Sequence, residues 1–442
     1  MRIQLSDNFT YKRLLKFTFP SIIMMIFTSI YGVVDGFFVS NFVGKTEFAA
    51  VNFIMPLIMM LGAIGFMFGA GGGALIAKTL GEGDKEKANK LFSLFVYVTL
   101  VLGSIVTVIG IIFIRPIASF LGASGAMLDN CVIYGIINLV SMPIFMLQFE
   151  FQSFFVTAEK PQLGLYVTIA CGITNMALDA IFMAILDMGI VGAALATAIS
   201  QALGGLLPII YFSRKNTSLL RLCKTDFDIS SLLKACTNGS SELMSNISMS
   251  LVGMLYNAQL MKFAGENGVA AYGVLMYVNF VFISAFIGFS TGVAPVISYH
   301  YGAGNHKELK SLLRKSCTVI LSFSAAMFIF AELLAKPLAG VFVAYDKELF
   351  DLTLKGFLIY SFSFLFSGMA IFGSAFFTAL NNGLVSAFIS FLRTLVLQTV
   401  AVLLLPMFMG IDGIWASVVF AELCASVVTA LLIFSKRKKY KY

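Results

Sequence analysis

Residues 91–114 have the sequence LFSLFVYVTLVLGSIVTVIGIIFI, 24 positions without a charged side chain. A helix of this length extends about 36 Å, which exceeds the ~30 Å hydrocarbon core of a bilayer. Similar stretches recur along the 442 residues, of which 59% are hydrophobic and 12% charged. Because soluble chains carry about 25% charged residues, this composition excludes a soluble enzyme and a disordered chain. It predicts an all-α polytopic membrane protein.

Twelve such stretches are predicted to span the membrane. Their approximate bounds are 15–40, 52–78, 91–121, 131–157, 163–186, 190–212, 235–263, 270–299, 316–343, 354–380, 384–409 and 413–435. The side that holds the N-terminus would carry 23 Lys and Arg residues and the opposite side 6. The positive-inside rule then predicts a multi-pass protein of the cell (inner) membrane with both termini in the cytoplasm. The net charge of +8 therefore indicates topology and contact with membrane lipids, and not nucleic-acid binding.

The chain contains an internal duplication at an offset of 221 residues. Gly81 and Gly83 fall on Gly302 and Gly304, and further small residues and prolines match in the same register, including Pro116 with Pro337 at predicted turns. We expect an N-terminal lobe (1–212), a basic cytoplasmic linker (213–234) and a C-terminal lobe (235–442). Because each lobe has an even number of spans, the two would be related by an axis along the membrane normal. This arrangement favours a transporter whose lobes rock about a central cleft.

Seven ionisable residues lie inside predicted spans, where each costs roughly 2.5–3.5 kcal/mol. They are Asp35, Glu150, Asp179, Glu242, Glu332, Arg393 and Glu422. Glu150 and Glu242 come near the cytoplasmic ends and Glu332 near the opposite end, where hydration is the ordinary interpretation. Arg393 and Glu422 come at similar mid-membrane depth. They would either pair as a structural ion pair or line the transport path, and the sequence leaves both alternatives open.

Asp35 and Asp179 lie at one depth in the first and fifth spans. Asn175 precedes Asp179 by one helical turn on the same face, and Thr197 reaches the same level from the sixth span. The corresponding positions in the second half are Tyr256, Val396, Val400 and Val418. A polar cluster confined to one copy indicates a function rather than a need of the fold, although a polar contact that tightens helix packing remains the alternative.

Carboxylate, amide and hydroxyl oxygens are hard ligands that suit Na⁺ and offer no donor for a transition metal. Two neighbouring carboxyl groups with little hydration repel each other, which favours retention of a proton. The sequence therefore predicts that Asp35, Asn175, Asp179 and Thr197 couple transport to H⁺ or Na⁺, without a further cofactor. A cationic substrate that competes for Asp35, Asn175 and Asp179 would give antiport.

Several motifs together resemble those of the multidrug and toxic compound extrusion (MATE) transporters, over essentially the whole chain. They are Pro20, Val34-Asp35-Gly36, Gly73-Ala74-Leu75-Ile76-Ala77, Leu80-Gly81-Glu82-Gly83, Asn175-x-x-x-Asp179, Gly189-Ile190-Val191-Gly192-Ala193-Ala194 and Ala196-Thr197. The resemblance implies two six-helix bundles in a V shape, and export of organic cations driven by H⁺ or Na⁺.

Within that family the first-lobe residues resemble the cation site of the prokaryotic DNA-damage-inducible (DinF-like) branch. The resemblance adds Tyr134 as a substrate-binding residue near that site and Pro20 as a first-span proline linked to helix bending. Another branch uses acidic residues of the seventh and tenth spans. Glu242 matches the first of these, but 354–380 offers no counterpart inside the span for the second, which favours coupling in the first lobe.

A polytopic membrane chain could serve four functions other than multidrug export. A lipid or oligosaccharide-lipid flippase would be expected to line its cleft with several Arg and Lys, and only Arg393 lies at mid-depth. A specific metabolite exporter is compatible with the family. An intramembrane enzyme would need a motif such as HExxH or GxSxG, and a channel a selectivity-filter loop; the chain has neither. We therefore expect a non-enzymatic, monomeric transporter of small organic cations.

Overall fold

The computed structural model describes residues 3–343 and 346–442, apart from the side chain of Lys45. Arg2 and the side chain of Lys45, which both count in the predicted topology, therefore lie outside the described residues. Helices account for nearly all of the described residues. Their bounds are α1 Tyr11–Phe42, α2 Lys45–Gly81, α3 Lys85–Phe120, α4 Gly125–Val140, α5 Met142–Thr157, α6 Pro161–Asp179, α7 Gly189–Ser213, α8 Ile229–Gly302, α9 His306–Val343, α10 Lys347–Tyr360, α11 Phe364–Ala379, α12 Gly383–Phe391, α13 Gln398–Met409 and α14 Ile411–Tyr440.

Short π-helical segments interrupt the fifth span of each half. The first π segment, Ala180–Ile185, continues α6, and the second π segment, Leu392–Leu397, joins α12 to α13. Helices α4 and α5 form one broken span with a bend of 58°. Helix α8 has 74 residues and contains a non-helical Gly265 (φ 59°, ψ −148°), so it comprises two spans. With these assignments the described helices reproduce the twelve predicted spans as two pseudo-symmetric bundles, here the first lobe (α1–α7) and the second lobe (α8–α14).

The helices extend beyond the predicted spans because their polar first turns are also helical. Helix α3 begins at Lys85, where Asp84 caps it by accepting a hydrogen bond from the Lys87 amide at 2.9 Å. The predicted turns at Pro116 and Pro337 are wrong, since both prolines lie inside helices that continue to residues 120 and 343. Hydropathy locates the segment that fits the bilayer, whereas capping decides where the helix begins.

The first described residues and the C-terminus lie at one end of the molecule, which we call the terminal end. The Leu5 amide donates to Glu159 in the first lobe at 2.7 Å, and the Phe9 amide donates to Glu308 in the second lobe at 2.9 Å. At the other end of the chain, Asn382 donates to the Tyr440 hydroxyl at 2.7 Å. The segment before α1 therefore contacts both lobes.

The lobes meet at the terminal end through glycines of α2 and α8. A Cβ added to Gly81 would collide with the carbonyl of Tyr299, and one added to Gly302 would collide with the carbonyl of Lys78. Both the glycines and their partners are 221 positions apart, so the pseudo-two-fold axis relates the two contacts. We call this contact the glycine seam. Close approach of two backbones requires a residue without a Cβ here.

Two further contacts extend the glycine seam. Gly71 of α2 packs on the backbone of Ala235 of α8, where an added Cβ would be 2.1 Å from the Ala235 carbonyl oxygen. The Ser298 hydroxyl lies between the lobes, with hydrogen-bonding distances of 2.8 Å to the Ala74 carbonyl and 2.5 Å to the Ala379 carbonyl. The molecule is thus closed between its lobes at the terminal end.

Candidate functional site

The candidate site lies between α1 and α6 in the first lobe. Gly172 of α6 allows the two helices to approach closely, since an added Cβ would be 2.5 Å from Phe27 and 2.9 Å from Tyr31. Asp35 follows Tyr31 by one turn of α1, and Asp179 follows Gly172 by two turns of α6. The close approach at Gly172 therefore brings the two carboxyl groups to one level between the helices.

The structure brings Asp35, Asp179 and Asn175 together, as the sequence predicted. The side chains of Asp179 and Asn175 are polar neighbours of the Asp35 carboxyl group. Asp179 is completely buried, Asn175 is 2% exposed and Asp35 is half-buried. Both carboxyl oxygens of Asp179 and Oδ1 of Asp35 have no hydrogen-bond donor among the described residues. Two adjacent carboxyl groups of this kind need a proton or a cation between them.

Tyr134 and Thr197 complete the predicted set. Tyr134 is 1% exposed and lies close enough to Asp35, Asp179 and Thr197 to interact with each. The Thr197 hydroxyl donates to the Ala193 carbonyl of its own helix at 3.1 Å, which leaves its oxygen lone pairs free to accept. Asp35 thus has Asn175, Asp179 and Tyr134 as neighbours, and Thr197 is a neighbour of Tyr134.

Pro20 lies elsewhere in the same helix. It is buried inside α1, which remains one helix from Tyr11 to Phe42. The 15 residues between Pro20 and Asp35 correspond to about 22 Å along the helix axis. Pro20 therefore does not contact the site, and its link to helix bending stays a prediction.

The first π segment begins directly after Asp179. A π turn widens the helix and leaves carbonyl groups less regularly paired, and such turns are frequent at functional sites. The loop that follows contains Asp187 with φ 50°. The chain therefore departs from regular α-helical geometry immediately beyond the acidic pair.

Sequence reasoning missed two polar neighbours of the site, Tyr31 and Gln148. Tyr31 lies near both Asp35 and Gln148, and its position one turn before Asp35 was a usable signal. Gln148 lines an internal cavity of ≈10 Å³ together with Gln152 and Cys171. A volume of this size holds about one water molecule. The Gln152 amide has no hydrogen-bond partner among the described residues.

The expectation that Glu150 is hydrated is wrong. Glu150 is completely buried, and neither carboxyl oxygen has a hydrogen-bond partner among the described residues. The break between α4 and α5 invalidates a depth counted along one straight helix. Glu150 instead packs against α2, where a Cβ on Gly69 would be 3.1 Å from the Glu150 Cα. Glu332 is half-buried, and it accepts a hydrogen bond from Ser361.

Arg393 and Glu422 form an ion pair, as the first of the two alternatives predicted. Arg393 Nε lies 2.8 Å and 3.0 Å from the two carboxyl oxygens of Glu422, and the side chains are 16% and 5% exposed. Glu242 lies within electrostatic range of Arg393. The second lobe therefore contains a buried group of charges that differs in composition from the acidic pair of the first.

The offset of 221 residues does not place Val400 in the structural position of Asp179. Val400 corresponds to Asp179 in sequence, but Val400 is 45% exposed and Asp179 is completely buried. Val400 belongs to an apolar outer stripe of α13, whose other members are Leu403, Leu404, Met407 and Phe408. The second π segment precedes Val400, and the extra residue of a π turn rotates the following residues by about 100°. Ala401, 2% exposed, takes the inward position, which is therefore still apolar.

Comparison with known proteins gives consistent matches. The MatE family model matches residues 20–181 and again residues 243–404. The multidrug export protein MepA of Staphylococcus haemolyticus is 28% identical over 441 residues, which cover 98% of this chain and 95% of the relative.

Solved structures share the fold over nearly the whole chain. An outward-facing conformation of a multidrug resistance MATE family transporter matches with a TM-score of 0.93 at 23% identity, covering 98% of this chain and 97% of the other. A MATE structure in the bent conformation gives 0.88 at 22% identity, covering 99% and 98%. The two pseudo-symmetric bundles are therefore the fold of these structures.

Proposed function

This chain belongs to the MATE family of membrane transporters, and from that premise we propose that it exports amphipathic organic cations in exchange for H⁺ or Na⁺. The observation that carries the proposal is the adjacent pair of half-buried Asp35 and buried Asp179, because Oδ1 of Asp35 and both carboxyl oxygens of Asp179 lack donors among the described residues. The name of the relative MepA, a multidrug export protein, supports small organic molecules as substrates.

The exchange follows from the electrostatics of the pair. Two adjacent carboxylates in a poorly hydrated site are stable only with a proton or a cation between them. An organic cation that approaches Asp35, Tyr134, Asn175 and Asp179 supplies that charge, so a bound H⁺ or Na⁺ is released. Because the two occupants exclude each other, the gradient of one drives the other. Thr197 supplies a further oxygen ligand when Na⁺ is the occupant.

The lobes supply the alternating access. The glycine seam closes the terminal end. Separation of α2 from α8 would open an access route at that end. In this proposal the lobes are residues 1–212 and 235–442, and the linker 213–234 and both termini are cytoplasmic. The transporter acts as a monomer in the inner membrane, in contact with its lipids, and Pro20 adjusts the bend of α1 during the cycle.

The test is transport by the purified protein in proteoliposomes with ethidium, a permanently charged amphipathic cation, as probe. A pH gradient and a Na⁺ gradient are imposed one at a time. We expect one of them to drive ethidium transport in the wild type. Asp35→Asn should reduce this rate to that of protein-free liposomes, because a single carboxylate no longer needs the exchangeable cation.

The matched control is Asp187→Asn. Asp187 is an exposed carboxylate of the same lobe with a left-handed backbone, a conformation that Asn also adopts readily. This variant should transport at the wild-type rate. Gradient-driven transport by Asp35→Asn, with normal yield in the membrane, would refute coupling in the first lobe, and no transport by the wild type with either gradient would refute antiport.

A further inference from the structure

The second lobe contains a buried cation of its own, the guanidinium group of Arg393. Arg393 lies in the second π segment, and its Nε contacts both carboxyl oxygens of Glu422 at 3.0 Å and 2.8 Å. Glu422 lies in α14 and is 5% exposed on its side chain. The first π segment adjoins Asp179, so in each lobe the π turn adjoins a charged residue of the interior.

A second acidic residue lies near the same guanidinium. Glu242 of α8 lies within electrostatic range of Arg393. Its carboxyl group forms no hydrogen bond or ion pair with another described residue. One carboxylate therefore contacts this fixed positive charge, and a second acidic residue lies near it. The group carries one negative charge when all three are ionised, against two for Asp35 and Asp179.

The remaining titratable neighbours are tyrosines. Tyr256 and Tyr360 lie close to Glu422. Tyr256 donates to Gln398 Oε1 at 2.7 Å and stacks on Tyr272 at 5.4 Å between ring centroids. Tyr256 also occupies the position that corresponds to Asp35 at offset 221. Arg393 is thus the cationic neighbour that faces both acids within the described part of the lobe.

We propose that Arg393 is a tethered cation that permanently fills the acidic site of the second lobe, so that exchangeable H⁺ or Na⁺ binds only in the first. A guanidinium group does not lose its proton under physiological conditions. Its covalent tether gives it an effective concentration that free ions do not reach. The second lobe therefore keeps its charge constant through the cycle, while the charge of the first changes.

The part of this inference that concerns coupling rests on the proposed function. Ion-binding measurements test the inference separately from transport. The protein in nanodiscs is titrated with Na⁺ at constant ionic strength, and its proton uptake on acidification is followed with a pH-sensitive dye. The reference is the first-lobe double variant Asp35→Asn/Asp179→Asn, which leaves the second lobe intact. We expect this reference to lose the cation uptake that the wild type shows.

Arg393→Gln is then added to the reference. It leaves Glu242 and Glu422 without their cation, so we expect a gain of about one H⁺ or Na⁺ per protein. Arg393→Lys is the matched control, because it keeps a tethered positive charge and should give no gain. Addition of Glu242→Gln and Glu422→Gln to the Arg393→Gln variant should abolish the gain.

Two results would overturn the inference. One is an Arg393→Gln variant that folds, judged by size-exclusion chromatography, and gains no cation. The other is cation uptake that the reference variant retains and that the addition of Glu242→Gln removes. This result would place ion exchange in the second lobe without contradicting antiport. The measurement does not require a substitution at Arg393. Absence of cation uptake by the wild type would instead count against the proposed function.

Discussion

The two lobes share their mutual contact and differ in their interior charge. At the glycine seam, Gly81 and Gly302 make the same contact from opposite sides, on Tyr299 and Lys78. In the interiors, the first lobe contains an acidic pair with no ion pair to a described Lys or Arg, and the second contains Arg393 in contact with Glu422 and near Glu242. A rocking motion needs equivalent contact surfaces on both lobes, whereas ion exchange needs only one site. The duplication has therefore been retained where the lobes touch and has diverged where ions would bind.

A large effect is expected on the exposed face of α13. Val400→Asp should lower the free energy of unfolding in the membrane by roughly 2.5–3.5 kcal/mol, because it places a charge in an exposed apolar stripe of a predicted membrane span. The measurement is the yield of monodisperse protein from membranes together with its Tm. The control is Val400→Ala, which keeps the face apolar. Equal yields for the two variants would contradict the rotation caused by the second π segment.

A smaller and symmetric effect is expected at the glycine seam. Gly81→Ala and Gly302→Ala should each destabilise the state closed at the terminal end by about 1–3 kcal/mol, because each Cβ meets a backbone carbonyl. Spin-label distances across the terminal end would report the closed fraction for each variant. The two shifts should agree within ~0.5 kcal/mol, since the pseudo-two-fold axis relates the two positions.

The chain also offers a symmetric control for this pair. Gly32 and Gly253 are related by the same offset of 221, and a Cβ at either position has no atom within 4 Å. Gly32→Ala and Gly253→Ala should leave the closed fraction unchanged. Unequal shifts for the seam pair would show that the lobes do not contribute equally to closure.

The twelve spans were predictable from hydropathy, and the acidic pair was predictable from helical periodicity and depth. A helix repeats every 3.6 residues, so the spacing of Asn175 and Asp179 placed them on one face, and depth matched them with Asp35. The position of Val400 was not predictable by this reasoning, since a π turn adds a residue without a mark in the sequence.

The burial of Glu150 also required the structure. Its environment depends on the break between α4 and α5 and on the backbone of α2 at Gly69, which is distant in sequence. The pairing of Arg393 with Glu422 was only partly predictable from the sequence. Depth allowed the contact, but a pair and a path-lining arrangement predict the same depths. Long-range packing decided between them.

The smallest expected effect compares two ion pairs of similar geometry. Arg115 lies 3.0 Å from Asp129 in the first lobe, with both side chains 60% exposed, whereas Arg393 and Glu422 are 16% and 5% exposed. Water already solvates the exposed pair, so Arg115→Gln should lower stability by less than about 1 kcal/mol. Arg393→Gln leaves Glu422 buried without its cation and should cost about 3–5 kcal/mol. Thermal unfolding at about 0.15 M and about 1 M salt, where the Debye length falls from ~8 Å to ~3 Å, separates the two pairs, because salt should remove the small effect and leave the large one. If salt weakened both effects equally, the charges around Arg393 would be accessible to solvent, and a permanently filled site in the second lobe would lose its physical basis.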